Sequence, residues 1–208
     1  MGGKLRIISG NWRGRRLAVP DLPGLRPSGD RAREVLFNWL QGDLRGARCL
    51  DLFAGTGALG LEAASRGAAS VVLVEQDRAL CRHLTELGRQ WPGGDVLTVV
   101  QADAMRWLER AEGPFDIVFV DPPFGAGLYA ATLDALARPG LLAAGALIYI
   151  ESAARSPAPF QPSQFPSTTP ASSVCQADEI APSPAGWSIH REKRLGDVRM
   201  QLLQTPEF

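Results

Sequence analysis

A tetrapeptide that could do chemistry, Asp121-Pro122-Pro123-Phe124, follows directly after the apolar run 115–120. A run of that composition predicts a strand buried on both faces, as in a parallel sheet covered by helices. Because proline cannot donate a ladder hydrogen bond, the strand is expected to end at this point. The tetrapeptide is therefore predicted to lie at the carboxyl edge of the sheet, where open α/β sheets bind ligands.

The groups in this tetrapeptide suit a planar base that carries an exocyclic amine. Asp121 and the carbonyl of Pro122 can accept hydrogen bonds from the two N–H groups of the amine, and Phe124 can stack on the ring. A purely structural alternative is an acidic turn that ends a strand. The tetrapeptide does not distinguish adenine from guanine, because both bases offer an exocyclic pair of N–H groups.

A second pattern lies earlier, where Gly55, Gly57 and Gly60 follow the apolar run 49–54. The spacing matches the dinucleotide-binding fingerprint, and Glu75 lies 20 positions after the first glycine, at the end of another apolar run. Glycines let the backbone approach a ligand, and an acidic side chain one strand away can accept hydrogen bonds from ribose hydroxyls. The pattern predicts an adenosine cofactor and by itself leaves a nicotinamide or flavin dinucleotide open.

Asp51 favours a different adenosine cofactor. It lies four positions before Gly55, inside an otherwise apolar strand. A dinucleotide would bring a pyrophosphate to this turn, and a nearby carboxylate would repel it. S-adenosylmethionine has no phosphate, but it carries a cationic sulfonium and a free amino group that a carboxylate attracts. A further carboxylate, Asp103, follows the apolar run 97–101 and can accept a hydrogen bond from the adenine amine.

These ordered motifs resemble those of class I S-adenosylmethionine-dependent methyltransferases that modify exocyclic amines. Residues 6–17 and 24–40 are moreover similar to the amino-terminal signature of the bacterial RsmD family. The resemblance covers about residues 4–151 and resumes at 187–193. Ser28 stands where we expect Thr, and Thr56 where Ser is common, so both departures keep a hydroxyl.

The resemblance implies transfer of a methyl group from S-adenosylmethionine to the exocyclic N2 of one guanine in small-subunit (16S) ribosomal RNA. The acceptor is expected within the small ribosomal subunit or an assembly intermediate. The catalytic residues are then Asp121, Pro122 and Phe124. The residues expected to bind the cofactor are Asp51, Phe53, Gly55, Thr56, Gly57, Glu75, Asp103 and Ala104.

Charge supports an RNA partner independently of these motifs. Residues 1–33 contain eight Lys or Arg and two Asp, a net charge of +6, and the formally neutral chain therefore carries −6 elsewhere. A basic arm on an acidic body is typical of a localised contact with a polyanion. Alternation from Lys4 to Val19 predicts a hairpin that turns near residues 11–14. The side chains expected to contact RNA are Arg6, Arg13, Arg15, Arg16, Arg26 and Arg31.

The elements that must position these residues form an α/β fold. We predict a Rossmann-like, seven-stranded class I methyltransferase sheet with an antiparallel last strand, preceded by the basic hairpin. Gly196-Asp197 is expected to turn the final hairpin. Strands are predicted over 49–54, 71–74, 97–101, 115–120, 146–151, 187–195 and 198–204, and helices over 31–40, 61–66, 77–90 and 128–136.

We divide the chain of 208 residues into an arm, 1–24, and a methyltransferase domain, 25–208. Residues 152–186 are rich in Ser, Pro, Ala and Gln, and we expect a flexible insertion without secondary structure.

With no apolar run long enough for a membrane span and no signal peptide, we expect a cytoplasmic protein that contacts no membrane. The three cysteines are widely spaced, so we expect neither a disulfide framework nor a metal site. We also expect a monomer.

Three other functions remain open at this point. The first is another exocyclic-amine methyltransferase, which would act on adenine N6 in DNA or on guanine in a different RNA. The second is an NAD-dependent oxidoreductase, which Asp51 disfavours. The third is a non-catalytic RNA-binding module that has kept the fold.

Overall fold

A small hairpin precedes the main sheet. The computed structural model describes residues 4–18, 30–123, 127–161, 184 and 186–207. Strands β1 (Lys4–Arg6) and β2 (Arg16–Ala18) pair antiparallel, with Leu5 opposite Leu17. The predicted amino-terminal hairpin is therefore confirmed. Phe124 and Arg26, which we expect to take part in catalysis and RNA binding, lie outside the described residues.

The main sheet has seven strands in the order β5-β4-β3-β6-β7-β9-β8. The first five strands in this order are parallel, and β9 runs antiparallel to both of its neighbours. The predicted seven-stranded sheet with an antiparallel last strand is thus confirmed. The strands are β3 (Arg48–Asp51), β4 (Ser70–Glu75), β5 (Leu97–Gln101), β6 (Phe115–Val120), β7 (Leu142–Ala153), β8 (Ser188–Leu195) and β9 (Val198–Gln204).

Helices cover both faces of the sheet, because alternate strand residues point to two separate cores. Cys49 lies in the core shared with the first three helices, and Leu50 lies in the core shared with the last two. The helices are α1 (Asp30–Trp39), α2 (Ala58–Ser65), α3 (Arg78–Gln90), α4 (Ala104–Leu108) and α5 (Tyr129–Leu136). Among the described residues, no helix is long and apolar enough to cross a membrane.

The structure differs from the predicted boundaries at the strand that leads to the glycine turn. β3 ends at Asp51 instead of continuing to residue 54. Beyond it, the N–H of Leu52 donates to Phe119 of β6, and the N–H of Ala54 donates to Val74 of β4. The chain therefore inserts between two strands without keeping a regular ladder. Helix α4 was not predicted, because its five residues are too few to show a helical period.

The segment that we expected to be an insertion starts with ordered structure. β7 continues to Ala153, so the prediction that residues 152–186 lack secondary structure is wrong at Ser152 and Ala153. Farther along, the N–H of Phe160 donates to Oε1 of Gln201, and Nε2 of Gln201 donates back to the carbonyl of Phe160 at 3.0 Å. The ring of Phe160 is buried in the core beside α4 and α5. Residues 162–183 and 185 lie outside the described part.

Candidate active site

The site forms where the chain reverses its direction across the sheet. From β3 the sheet grows through β4 to β5 on one side, and the chain then returns to add β6 and β7 on the other side. The loops that follow β3 and β6 therefore diverge and leave a crevice at the carboxyl edge, the usual ligand position in such sheets. Because adjacent strands lie about 4.8 Å apart, β4 and β6 flank this crevice at a separation of about 10 Å.

The glycine turn after β3 is held by the acidic residue at the end of β4. Oε2 of Glu75 accepts a hydrogen bond from the N–H of Gly55 at 2.7 Å, and Oε1 accepts from the N–H of Asp77 at 2.7 Å. Each carboxylate oxygen can accept a further hydrogen bond. The structure therefore brings Glu75 and Gly55 together, and Glu75 keeps acceptor capacity for two hydroxyl groups.

Close packing of α2 on the sheet requires a glycine. A Cβ atom at Gly60 would lie 2.2 Å from Cδ2 of Leu73 and 3.3 Å from Oδ2 of Asp51. At Gly57, where φ is +79°, a Cβ atom would lie 2.5 Å from Cδ2 of Leu84. These two glycines allow the first turn of α2 to approach β3, β4 and α3 directly, and Thr56 beside them is buried.

Asp51 is a buried carboxylate directly beneath the turn. Its side chain is only 2 % exposed, and Oδ2 accepts a hydrogen bond from the N–H of Gly60 at 3.0 Å. Burial raises the pKa of Asp51 to about 7, against the lowering effect of the N–H groups of Gly60 and Phe53, and the charge of Glu75 raises it further. A cation that approached this carboxylate would favour its ionised form near neutral pH.

The remaining predicted cofactor residues lie at the same edge. Asp103 is exposed at the amino terminus of α4, where Oδ1 accepts from the N–H of Arg106 at 3.0 Å. Ala104 beside it is buried, and Phe53 is half-buried after β3. All of the residues predicted to bind the cofactor thus lie on, or directly beside, the loops after β3, β4 and β5.

The other side of the crevice carries Asp121 and Pro122. Asp121 is half-buried directly after β6, and Pro122 is buried. The negative charge of Asp121 acts on the hydroxyls of Tyr129 and Tyr149, whose pKa values are raised first of all by burial. Glu151, on the neighbouring strand β7, is also buried. Tyr129, Tyr149 and Glu151 were not predicted as site residues, although Glu151 is the last residue of the strand predicted over 146–151 and was a usable signal.

Comparisons with known proteins agree with this geometry. The family model described as Conserved hypothetical protein 95 matches residues 5–173. The ribosomal RNA small subunit methyltransferase D of Escherichia coli (strain K12) is 46% identical over 202 residues, which covers 97% of this chain and 90% of that protein. The chain belongs to this methyltransferase D family. The resemblance to the RsmD family is therefore confirmed.

Two further similar proteins match this chain over nearly its full length. The protein of the same name from Haemophilus influenzae is 34% identical over 205 residues, which covers 97% of this chain and 94% of that protein. A solved methyltransferase structure from Escherichia coli, yhhF, superimposes with a TM-score of 0.78 at 43% identity, covering 99% of this chain and 100% of that one.

In this family member the hairpin docks on α2 through a buried carboxylate. Oε2 of Glu62 accepts from the N–H of Ile8 at 2.8 Å, and Oε1 accepts from the N–H of Ser9 at 3.0 Å and from Nε of Arg66 at 2.8 Å. Glu62 is fully buried. This role of Glu62 was not predicted, although a charged residue inside an otherwise apolar helix was a signal for it.

The hairpin turn docks at the carboxyl end of α2, opposite to the glycine turn. The N–H of Asn11 donates to the carbonyl of Ser65 at 2.7 Å, and the N–H of Trp12 donates to Oγ of Ser65 at 2.9 Å. Gly10 lies so close that a Cβ atom there would be 1.9 Å from the Ser65 carbonyl oxygen. A helix of this length spans about 12 Å, so the turn lies well away from the crevice.

The arginines predicted to contact RNA that the structure describes lie in the hairpin and at the start of α1, and all of them are exposed. Arg6, Arg13, Arg15, Arg16 and Arg31 are exposed, and the guanidinium of Arg15 lies 5.2 Å from the centre of the Trp91 ring.

Arg33, which we counted in the basic segment, is buried. Its Nη2 donates to the carbonyl of Arg6 at 3.0 Å and to Oδ1 of Asp30 at 2.6 Å. The charge of Arg33 therefore serves the fold and is not available to a polyanion.

Proposed function

We propose that this protein transfers a methyl group from S-adenosylmethionine to the exocyclic N2 of one guanine in small-subunit (16S) ribosomal RNA. The broader assignment, ribosomal RNA methyltransferase, follows from near full-length similarity to the methyltransferase D proteins. The observation that carries the site is the crevice at β3, which has the glycine turn and Glu75 on one side and Asp121 on the other.

The residues beside β3 fit S-adenosylmethionine. Glu75 offers acceptors to the ribose hydroxyls, Asp103 offers one to the adenine amine, and Asp51 attracts the cationic methionine end. Gly55, Thr56 and Gly57 let the backbone approach, and Phe53 and Ala104 border the same space. When bound, S-adenosylmethionine supplies a methyl group activated by its sulfonium.

In this proposal the enzyme accelerates transfer by positioning the guanine amine and by electrostatic stabilisation of the transition state. The guanine leaves its stack, because N2 is not accessible within one, and Phe124 stacks on the base. Asp121 and the carbonyl of Pro122 accept hydrogen bonds from the N2 hydrogens. This arrangement draws the lone pair of N2 out of conjugation and aims it at the methyl group, whose bond to sulfur breaks as its bond to N2 forms. One N2 proton is then lost to Asp121 or to solvent, and no covalent enzyme intermediate is needed.

The RNA contact extends beyond the target base. The exposed guanidinium groups of Arg6, Arg13, Arg15, Arg16 and Arg31, together with Arg26, bind phosphates in this proposal. Because the hairpin turn lies at the far end of α2, the substrate must reach at least one helix length past the crevice. A folded small subunit or an assembly intermediate in the cytoplasm meets this requirement, and a monomeric enzyme suffices.

Transfer of labelled methyl from S-adenosylmethionine tests the proposal. The acceptors are small ribosomal subunits that lack the modification, their naked RNA and duplex DNA, and the labelled nucleoside is identified by mass. N2-methylguanosine in ribosomal material is the expected product. Label found only on adenine in DNA would overturn the substrate assignment, and no label on any of these acceptors would count against the proposed reaction.

The variant Asp121→Ala separates catalysis from cofactor binding. We expect it to lose most of the activity, because the amine loses its acceptor, while S-adenosylmethionine still binds. Thr85→Ser, on α3 outside the crevice, serves as the control with full activity. A fully active Asp121→Ala enzyme would remove Asp121 from the mechanism.

A further inference from the structure

Three polar side chains without a role in the proposed reaction meet beside Asp121. β6 pairs with β7 so that Val120 lies opposite Ile150, and Asp121, directly after β6, therefore lies beside Glu151 of β7. Tyr149 belongs to the same strand as Glu151. Tyr129 is the first residue of α5, the helix that follows the catalytic segment.

Both tyrosine hydroxyls donate to the same residue. The hydroxyl of Tyr149 donates to Oε2 of Glu151 at 2.7 Å, and the hydroxyl of Tyr129 donates to the main-chain carbonyl of Glu151 at 2.8 Å. Tyr149 is 1 % and Glu151 is 5 % exposed. A buried carboxylate is costly without a donor, so Tyr149 stabilises Glu151 in this position.

The bond from Tyr129 ties the two ends of the catalytic segment together. The chain leaves β6 at Asp121 and enters α5 at Tyr129. Through Tyr129 the second end is attached to Glu151, on the strand next to Asp121. Both ends of the segment that contains Asp121-Pro122 are therefore fixed to the same pair of strands.

Electrostatics agree with this proximity. Burial is the largest cause that raises the pKa values of Tyr129 and Tyr149, and the negative charges of Asp121 and Glu151 raise both further. The two hydroxyls consequently stay protonated at neutral pH and remain hydrogen-bond donors. Burial raises the pKa of Glu151 as well, while the hydrogen bond from Tyr149 lowers it.

We propose that Glu151 is a positioning residue, which with Tyr149 and Tyr129 holds the start of α5 beside the end of β6 so that Asp121 faces the exocyclic amine. The inference rests on the proposed function for the role of Asp121. Preorganisation of this kind accelerates transfer, because a displacement of about 1 Å at a catalytic group can cost about 100-fold in rate.

The first variant is Tyr129→Phe, which removes one hydroxyl and keeps the ring. We expect kcat to fall about 10- to 100-fold, while the affinity for S-adenosylmethionine is unchanged. Thr205→Val is the matched control, because Thr205 donates a hydroxyl to the main-chain carbonyl of Ala143, at the other end of β7. A kcat of Tyr129→Phe equal to that of the control would overturn the inference.

A double-mutant cycle asks whether Tyr129 acts through Asp121. If it does, Tyr129→Phe should lower the residual activity of Asp121→Asn little or not at all. Multiplicative losses in the double variant would mean that Tyr129 acts independently of Asp121, and this would overturn the inference.

Substitutions of Glu151 separate the hydrogen bond from general packing. Glu151→Gln keeps an oxygen that can accept from Tyr149, whereas Glu151→Ala removes it, so we expect Glu151→Gln to retain clearly more activity. Equal loss in the two folded variants would contradict positioning through this bond. If Glu151→Ala fails to fold, Tyr129→Phe and Tyr149→Phe decide the question.

Hydrogen exchange of the free protein tests the tie without any RNA. Tyr129→Phe should speed amide exchange over the first turn of α5 relative to wild type and Thr205→Val. Unchanged exchange there would overturn the inference even if the enzyme proved inactive on ribosomal RNA. Inactivity of the wild-type enzyme on every ribosomal acceptor would instead count against the proposed function.

Discussion

Oε2 of Glu75 accepts a hydrogen bond from the main-chain N–H of Gly55 at 2.7 Å, across the 20 positions that separate them in sequence. Since Oε1 holds the N–H of Asp77, the carboxylate orders the turn after β3 and the approach to α3 together. The turn is thus held by contacts within the protein. A residue predicted to bind ribose therefore also shapes the backbone around it.

The packing of α2 on β3 and β4 predicts the effect of Gly60→Ala. The added Cβ atom would lie 2.2 Å from Cδ2 of Leu73, so the buried side chain of Leu73 or α2 itself must shift. We expect a loss of stability of about 1–3 kcal/mol in urea unfolding, together with weaker binding of S-adenosylmethionine.

Gly42→Ala is the matched control for this substitution, because a Cβ atom there would have no neighbour within 4 Å. If Gly60→Ala is as stable as this control and binds the cofactor equally well, the close approach of α2 is not required.

The buried carboxylate of Asp51 predicts that cofactor binding depends on pH. Its pKa is raised from 3.8 to about 7, so near pH 6 the free protein holds a proton that the bound cation should displace. Affinity for S-adenosylmethionine should rise as the pH increases toward 7. Calorimetry in two buffers of different ionisation enthalpy should detect the released proton.

The raised pKa of Asp51 also predicts how the stability of the free protein depends on pH. The unfolded chain holds fewer protons than the folded protein between pH 3.8 and about 7, so the contribution of Asp51 to stability declines as the pH rises through that window. Asp51→Asn should remove both this decline and the proton release. Proton release that persists in Asp51→Asn would assign it to a different group.

The docking of the hairpin on Glu62 predicts the effect of Glu62→Gln. The side-chain amide would direct N–H groups at main-chain donors of the hairpin, and the unpaired donors should cost about 1–3 kcal/mol. Lower stability in urea and faster tryptic cleavage near Arg13 are the expected results. Glu86→Gln, at an exposed position of α3, is the control and should change neither property. Equal cleavage rates in the two variants would show that Glu62 does not hold the hairpin.

The exposed hairpin arginines predict how RNA binding depends on salt. Changing Arg13, Arg15 and Arg16 together to Gln should weaken RNA affinity and reduce the slope of log K against log salt by roughly two to three. The same change at Arg191, Lys193 and Arg194, which are exposed on the edge strand β8, alters the net charge equally. If the two triple variants have the same slope, the hairpin is not the phosphate contact.

Much of the site was predictable because its signals are local in the chain. The apolar run 115–120 ends at proline, and glycines follow the run 49–54. Helical connections make those strands parallel, and parallel strands bring their carboxyl ends to one edge. The prediction of one edge carrying Asp51, Glu75, Asp103 and Asp121 needed only that topology. The absence of secondary structure expected from residue 152 onward was wrong at Ser152 and Ala153, because composition does not register that β7 keeps its pairing with β9 there.

The sequence by itself determined the fold class, the family and the order of motifs along the sheet edge, since each depends on residues close together in the chain. Only the tertiary structure decided that Glu62 holds the hairpin, 54 positions from Ile8, that Arg33 is buried, and that Tyr129 bonds to Glu151, 22 positions away. Such contacts form between elements that pack side by side. A local pattern can mark a glutamate as unusual, but only the donors packed around it show what the carboxylate holds.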